Sequence, residues 1–127
     1  MAQPASKPAI GVLGVPPRHS SVPEHMRDFI AEAVAQTPGN FEKAGYKCEL
    51  IEVLPEDTVE QLTANLAVRH LDGVVVGFGV RGLPPNTYLF EKVIEAIRQG
   101  LPHAKIMFNT TPEDSVDAAK RWLPIDA

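Results

Sequence analysis

Two spacings of apolar residues alternate along the chain. Residues 9–15 (AIGVLGV) and 72–79 (DGVVVGFG) are short apolar runs without alternation, the pattern of strands covered on both faces. Residues 104–109 (AKIMFN) read the same way less cleanly, and 48–54 (CELIEVL) is interrupted by Glu49 and Glu52, as in a strand near a sheet edge. Between these runs the spacing becomes helical. Met26, Phe29, Ile30, Ala33 and Val34 fall three and four apart, as do Phe90, Val93, Ile94 and Ile97, so each set forms one apolar stripe. Weaker stripes are Val59, Leu62 and Leu66, then Val116, Ala119 and Leu123.

Start and stop signals agree with this division. Asp57-Thr-Val-Glu60 has capping-box spacing, Thr111 precedes a proline suited to a first helical turn, and Asn86 can cap the third helix. Gly45 and Gly100 are the stops, and Thr37-Pro38-Gly39-Asn40 predicts a break or kink in the first helix. The order is therefore βαβαβαβα. Right-handed crossovers and covered faces then predict an α/β fold: a four-stranded parallel sheet of order 2-1-3-4, flavodoxin-like or Rossmann-like, with helices on both faces in three layers.

Composition narrows the classes. At 127 residues, 44% hydrophobic and 22% charged, the chain reads as a flexible tail over residues 1–8 followed by a single domain over 9–127. A net charge of -4, with the twelve Lys and Arg scattered, argues against nucleic acid as a partner. The longest uncharged apolar start, 9–15, is too short to span a membrane. One cysteine, Cys48, gives no disulfide framework, so the expected location is the cytoplasm.

In a 2-1-3-4 sheet, the connections after strands one and three leave in opposite directions and open a crevice at their carboxyl ends. Three loops reach that edge: 16–22 (PPRHSSV), 79–87 (GVRGLPPNT) and 109–111 (NTT). They carry Arg18, Ser20, Arg81, Asn86, Asn109 and Thr110, together with the backbone of Gly79 and Gly82, as a ligand-binding set. Helix amino termini aimed the same way make an anionic small molecule, a phosphate or carboxylate, the expected partner. His19, between Arg18 and hydroxyls, is the candidate proton carrier if there is a reaction.

Several sharper motifs fail on context. Gly77-Phe-Gly-Val-Arg-Gly82 has the letters of a dinucleotide loop, but Leu83-Pro84-Pro85 delays the helix and no acid ends the next strand, so no cofactor is specified. His70 and His103 belong to the opposite end of the sheet, so no metal site is expected. Cys48 also lies there, and no G-x-S-x-G elbow occurs. Pro17-Arg18 and Asp72-Gly-Val-Val-Val-Gly77 are faintly similar to two segments of the flavodoxin-like type II dehydroquinases. The tyrosine expected just beyond that arginine is absent, Asn109 stands where a histidine would be, and the chain is short, so no membership follows. Two readings result: a binder of an anionic metabolite, with acid/base chemistry at His19 if it is an enzyme, or a non-catalytic interaction or assembly module, with 122–125 and 80–88 as contact surface and a homo-oligomer as its expected state.

Overall fold

Four strands in the computed structural model, which describes residues 7–125, are β1 (Ala9–Gly14), β2 (Lys47–Glu52), β3 (Gly73–Val76) and β4 (Lys105–Phe108). The helices are α1 (Arg27–Lys43), α2 (Val59–Ala67), α3 (Phe78–Arg81), α4 (Thr87–Gly100) and α5 (Ser115–Trp122). Short 3-10 turns at Glu24–Met26 and Pro84–Asn86 lead into α1 and α4. All strand pairs are parallel and the order is β2-β1-β3-β4, as the alternation of elements predicts. Most of the expected tail, residues 1–6, lies outside the described residues, and Pro8 is already tied to the sheet through its carbonyl, which accepts from the Lys47 amide at 2.9 Å.

Strand pleating sorts the core into two halves. Leu13, Ile51, Val74 and Val76 pack with Leu62 and Leu66 of α2 and with Leu89, Val93 and Ile97 of α4. On the other face Ile10, Val75 and Met107 pack with Phe41 of α1 and with Ala118 and Ala119 of α5. Alternate residues of one strand thus serve opposite layers, and β3, the most continuous apolar run, is buried on both sides.

Helix α1 is docked unevenly. Its carboxyl end closes in a Schellman motif: Gly45, at φ +97, donates to Glu42 O at 3.1 Å and Tyr46 donates to Phe41 O at 2.9 Å. The accompanying apolar contact is the edge-to-face pair of Phe41 and Tyr46, with ring centroids 5.8 Å apart. Both side chains are fully buried, and each contributes about 2 kcal/mol of apolar burial. Thr37 and Phe41 are the buried residues of α1, and residues 27–36 include none. Phe29, counted in the apolar stripe, is 55% exposed.

Local signals differ from expectation in four places. The helix does not break at Pro38 but runs through it to Lys43, because Phe41 and the Schellman closure hold the turns beyond it, and Thr37 Oγ1 bonds back to Ala33 O at 2.9 Å. The capping box of α2 is Thr58 with Gln61, one residue later than the Asp57 and Glu60 spacing suggests, since the Asp57 carboxylate instead accepts from the Leu54 amide. Thr111 caps no helix, because α5 starts only at Ser115. Asn86 holds the N-cap position of α4, yet its side chain donates to Gly79 O at 2.9 Å rather than capping.

At Gly77, where β3 turns into α3, a Cβ would lie 2.7 Å from the Leu13 carbonyl oxygen of the neighbouring strand. Gly77→Ala is therefore expected to lower stability by about 1–3 kcal/mol, and Gly45→Ala by about 1 kcal/mol through its positive φ. Gly14→Ala, which meets nothing within 4 Å, should stay within about 0.5 kcal/mol of the parent. Urea midpoints measure all three, and equal midpoints for Gly77→Ala and Gly14→Ala would contradict the close approach.

Candidate functional site

Because α1 is pinned at its carboxyl end and no more than partly buried over its first ten residues, a gap separates it from the sheet near the carboxyl ends of β1 and β3. This gap is a cavity of about 150 Å³. Ile30, Val34 and Thr37 of α1 form one wall and Val12 and Leu50 of the sheet form the other. Gly14 and Gly79, partly exposed at the carboxyl edge of the sheet and with no atom within 4 Å of where a Cβ would stand, line it without side chains. Pro17, Val22 and Pro23 border it from the loop after β1, and Asn109 and Ser115 from the far side. Glu52 is the one charged side chain among the lining residues.

The residues singled out in the sequence divide around this space. Arg18 is exposed and paired with Asp28 at 2.9 Å, a surface ion pair worth under about 1 kcal/mol. Ser20 is also exposed. His19 is more sheltered: Nδ1 accepts from the Ser21 amide at 3.1 Å and lies 2.9 Å from Ser21 Oγ, while Nε2 faces Glu56 Oε1 at 3.4 Å. With Nδ1 accepting, the proton of the neutral ring sits on Nε2 and points toward Glu56. Neither Arg18 nor His19 lines the cavity.

Arg81 has its own role in the packing. Its guanidinium lies between the rings of Phe78 and Phe108, 5.4 and 5.5 Å from their centroids, and donates to the Asn109 carbonyl. Such cation–π sandwiches immobilise the fork and reduce its reach. The stretch from Gly79 to Gly82 is mostly a helical turn rather than an open loop: Val80 donates to Gly77 O, and Gly82 to Phe78 O. Those two amides are therefore already used. Asn86 is buried with Oδ1 unpartnered.

On the far side, Asn109 is 3% exposed, and its Nδ2 donates to Ser115 Oγ at 3.1 Å while Oδ1 has no partner. The loop carrying it is braced by Asp114. Burial alone would raise the Asp114 pKa, but the hydroxyl of Thr110, the amides of Thr111 and Thr110, and the Arg121 charge together hold the carboxyl below its ordinary range. Thr110 is thereby engaged through both its amide and its hydroxyl. Arg121 also donates to Phe108 O at 2.8 Å.

The chain matches no protein-family model, no curated protein and no solved structure. Chemistry must therefore be argued from the residues. Among the described residues, no group of three or more His, Cys, Asp or Glu could hold a metal ion, and no helix is long and apolar enough to cross a membrane. At the other end of the sheet, burial pushes the Cys48 thiol up to about 11, away from nucleophilic use.

Thr37, Leu50, Glu52 and Ser115 border the site without having been candidates. The available signal was Gly14, a glycine ending a β-branched and aliphatic strand where ligands approach, and its significance depends on how α1 sits. Only Gly79 and Asn109 of the residues singled out line the cavity.

Asp114→Asn should cost about 1 kcal/mol through weakened bonds to Thr110 and Thr111. Since the folded pKa is depressed, the carboxylate's contribution is present above the unfolded Asp range and lost as pH falls through the folded value. Urea unfolding between about pH 5 and 2 should therefore show a shallower decline for Asp114→Asn than for the parent. Parallel curves would contradict this.

Proposed function

We propose that the protein binds a small, ring-sized, predominantly apolar molecule between α1 and the carboxyl ends of β1 and β3. The observation that carries this reading is the cavity of about 150 Å³ at the topological switch point, lined by aliphatic side chains and bare glycines. An apolar space of this size accommodates a molecule such as benzene, and open α/β sheets bind their ligands at this place. An anionic head group would have to be met outside the cavity, at Arg18 or His19, since Glu52 supplies the only charge in the lining and has the wrong sign. The His19 imidazole, flanked by Ser21 and Glu56, would then be the group placed to move a proton at the loop after β1.

A second reading, assembly with another chain, is favoured by Tyr88 and Trp122, both large and exposed. Its adverse result is a monomeric mass throughout the micromolar range.

Toluene near saturation should raise the melting temperature, by as much as about 2.7 kcal/mol of added stability at a hundred times its dissociation constant. Gly79→Leu and Gly14→Val, which add side chains where the lining is bare, should abolish that shift while leaving the fold intact. Phosphate and acetate form the anion arm: stabilisation by either that is lost in Arg18→Ala and Arg81→Ala favours the anion reading. No response to toluene, or one that survives both filling substitutions, would remove the support for the apolar reading.

A further inference from the structure

We infer that the molecule held in this cavity carries a head group that both donates and accepts a hydrogen bond, a hydroxyl or a primary carboxamide, and that Asn109 and Ser115 read it. The inference rests on the cavity reading above. Both side chains are at least nine-tenths buried and both line the cavity. The bond from Asn109 Nδ2 to Ser115 Oγ, 3.1 Å long, leaves Asn109 Oδ1 as a buried acceptor with no partner. Ser115, having accepted that bond, makes no other side-chain hydrogen bond among the described residues, so its own proton is free to donate.

The pair therefore offers one unpaired acceptor, Asn109 Oδ1, and two unused donors, the serine proton and the second Nδ2 proton, beside an otherwise apolar space. Turned over, the carboxamide would pair Oδ1 with the serine proton and present Nδ2 instead, which a ketone would satisfy, so selection for a ligand donor belongs to the orientation in which Nδ2 faces Ser115. The other polar groups in the lining do not compete. Thr37 Oγ1 already donates to Ala33 O, and Glu52 is an exposed carboxylate.

A hydrocarbon in the cavity would leave the Asn109 oxygen unpaired and shut off from water, and a ketone would bring a second acceptor to it. A carboxylate would bring a further acceptor and a negative charge to that oxygen. A hydroxyl or carboxamide satisfies the pair, and the unmade buried bond is what separates them. The site selects by the ligand's donor.

Three molecules of nearly one shape test this: benzamide, which donates and accepts; acetophenone, which only accepts; and α-methylstyrene, which does neither. Their affinities for the wild-type protein are read by amide chemical-shift titration, with toluene as the reference for the cavity itself. Benzamide should bind at least about tenfold more tightly than either isostere, and Asn109→Leu should bring the three together. If Asn109→Leu does not fold, Ser115→Ala serves, and the preference should narrow. Equal wild-type affinities, with toluene still binding, would overturn the head-group inference and leave the cavity reading standing. A preference unchanged in the variant would also overturn it. If none of the four binds, the cavity reading fails and this inference falls with it.

Discussion

Attachment of α1 to the sheet at one end governs much of the rest of the molecule. The Schellman closure at Gly45 and the burial of Phe41 against Tyr46 fix the carboxyl end of the helix, while its first ten residues include no fully buried side chain and reach the core only through partly buried Ile30. The opposite layer is different: α4 buries four residues against the same sheet, and Gly100 lets it approach α2 closely enough that a Cβ would stand 2.9 Å from Thr63 O. One layer is closed and the other is hinged open like a wedge. Close-packed interiors tolerate few voids larger than a water molecule, and the wedge at the switch point is the space on which the proposed binding reading rests.

The polar groups around the wedge follow from the same geometry. Cationic side chains that could have drawn an anion have found partners that do not depend on a ligand: Asp28 for Arg18, and the Phe78 and Phe108 rings with the Asn109 carbonyl for Arg81. Arg81 braces the end of β4 while Arg121 holds Phe108 O, and Asp114 ties down the loop between them and α5. These contacts position Asn109 and Ser115 with little freedom. For the proposed ligand, a rigid acceptor and donor beside apolar walls would give orientation, and the walls would give most of the affinity.

Much of the architecture was legible in the chain. Unalternating runs such as GVVV gave buried strands, the three-and-four spacing of Phe90 to Ile97 gave α4, and the order of elements then led to the 2-1-3-4 sheet through crossover handedness. Asn109 was visible as a polar residue ending a strand at the right edge. What could not be read was which way each loop side chain turns. Arg18 and Arg81 are the same residue type in similar loops, yet one lies out on the surface and the other lies between two rings. Nor does any local pattern reveal the wedge, since the stripe from Met26 to Val34 is spaced as in a fully docked helix. Its separation from Val12 and Leu50 is a tertiary outcome. The same tertiary override carries α1 through Pro38.

A crystal structure determined under xenon pressure addresses the wedge directly, because xenon seeks dry apolar cavities and makes no hydrogen bonds that could draw it elsewhere. The account predicts a xenon atom between Val34, Val12 and Gly79, with α1 still standing away from β1 and β2. A chain of ordered waters in that space, or α1 packed down so that Ile30 and Leu50 close the gap, would contradict it.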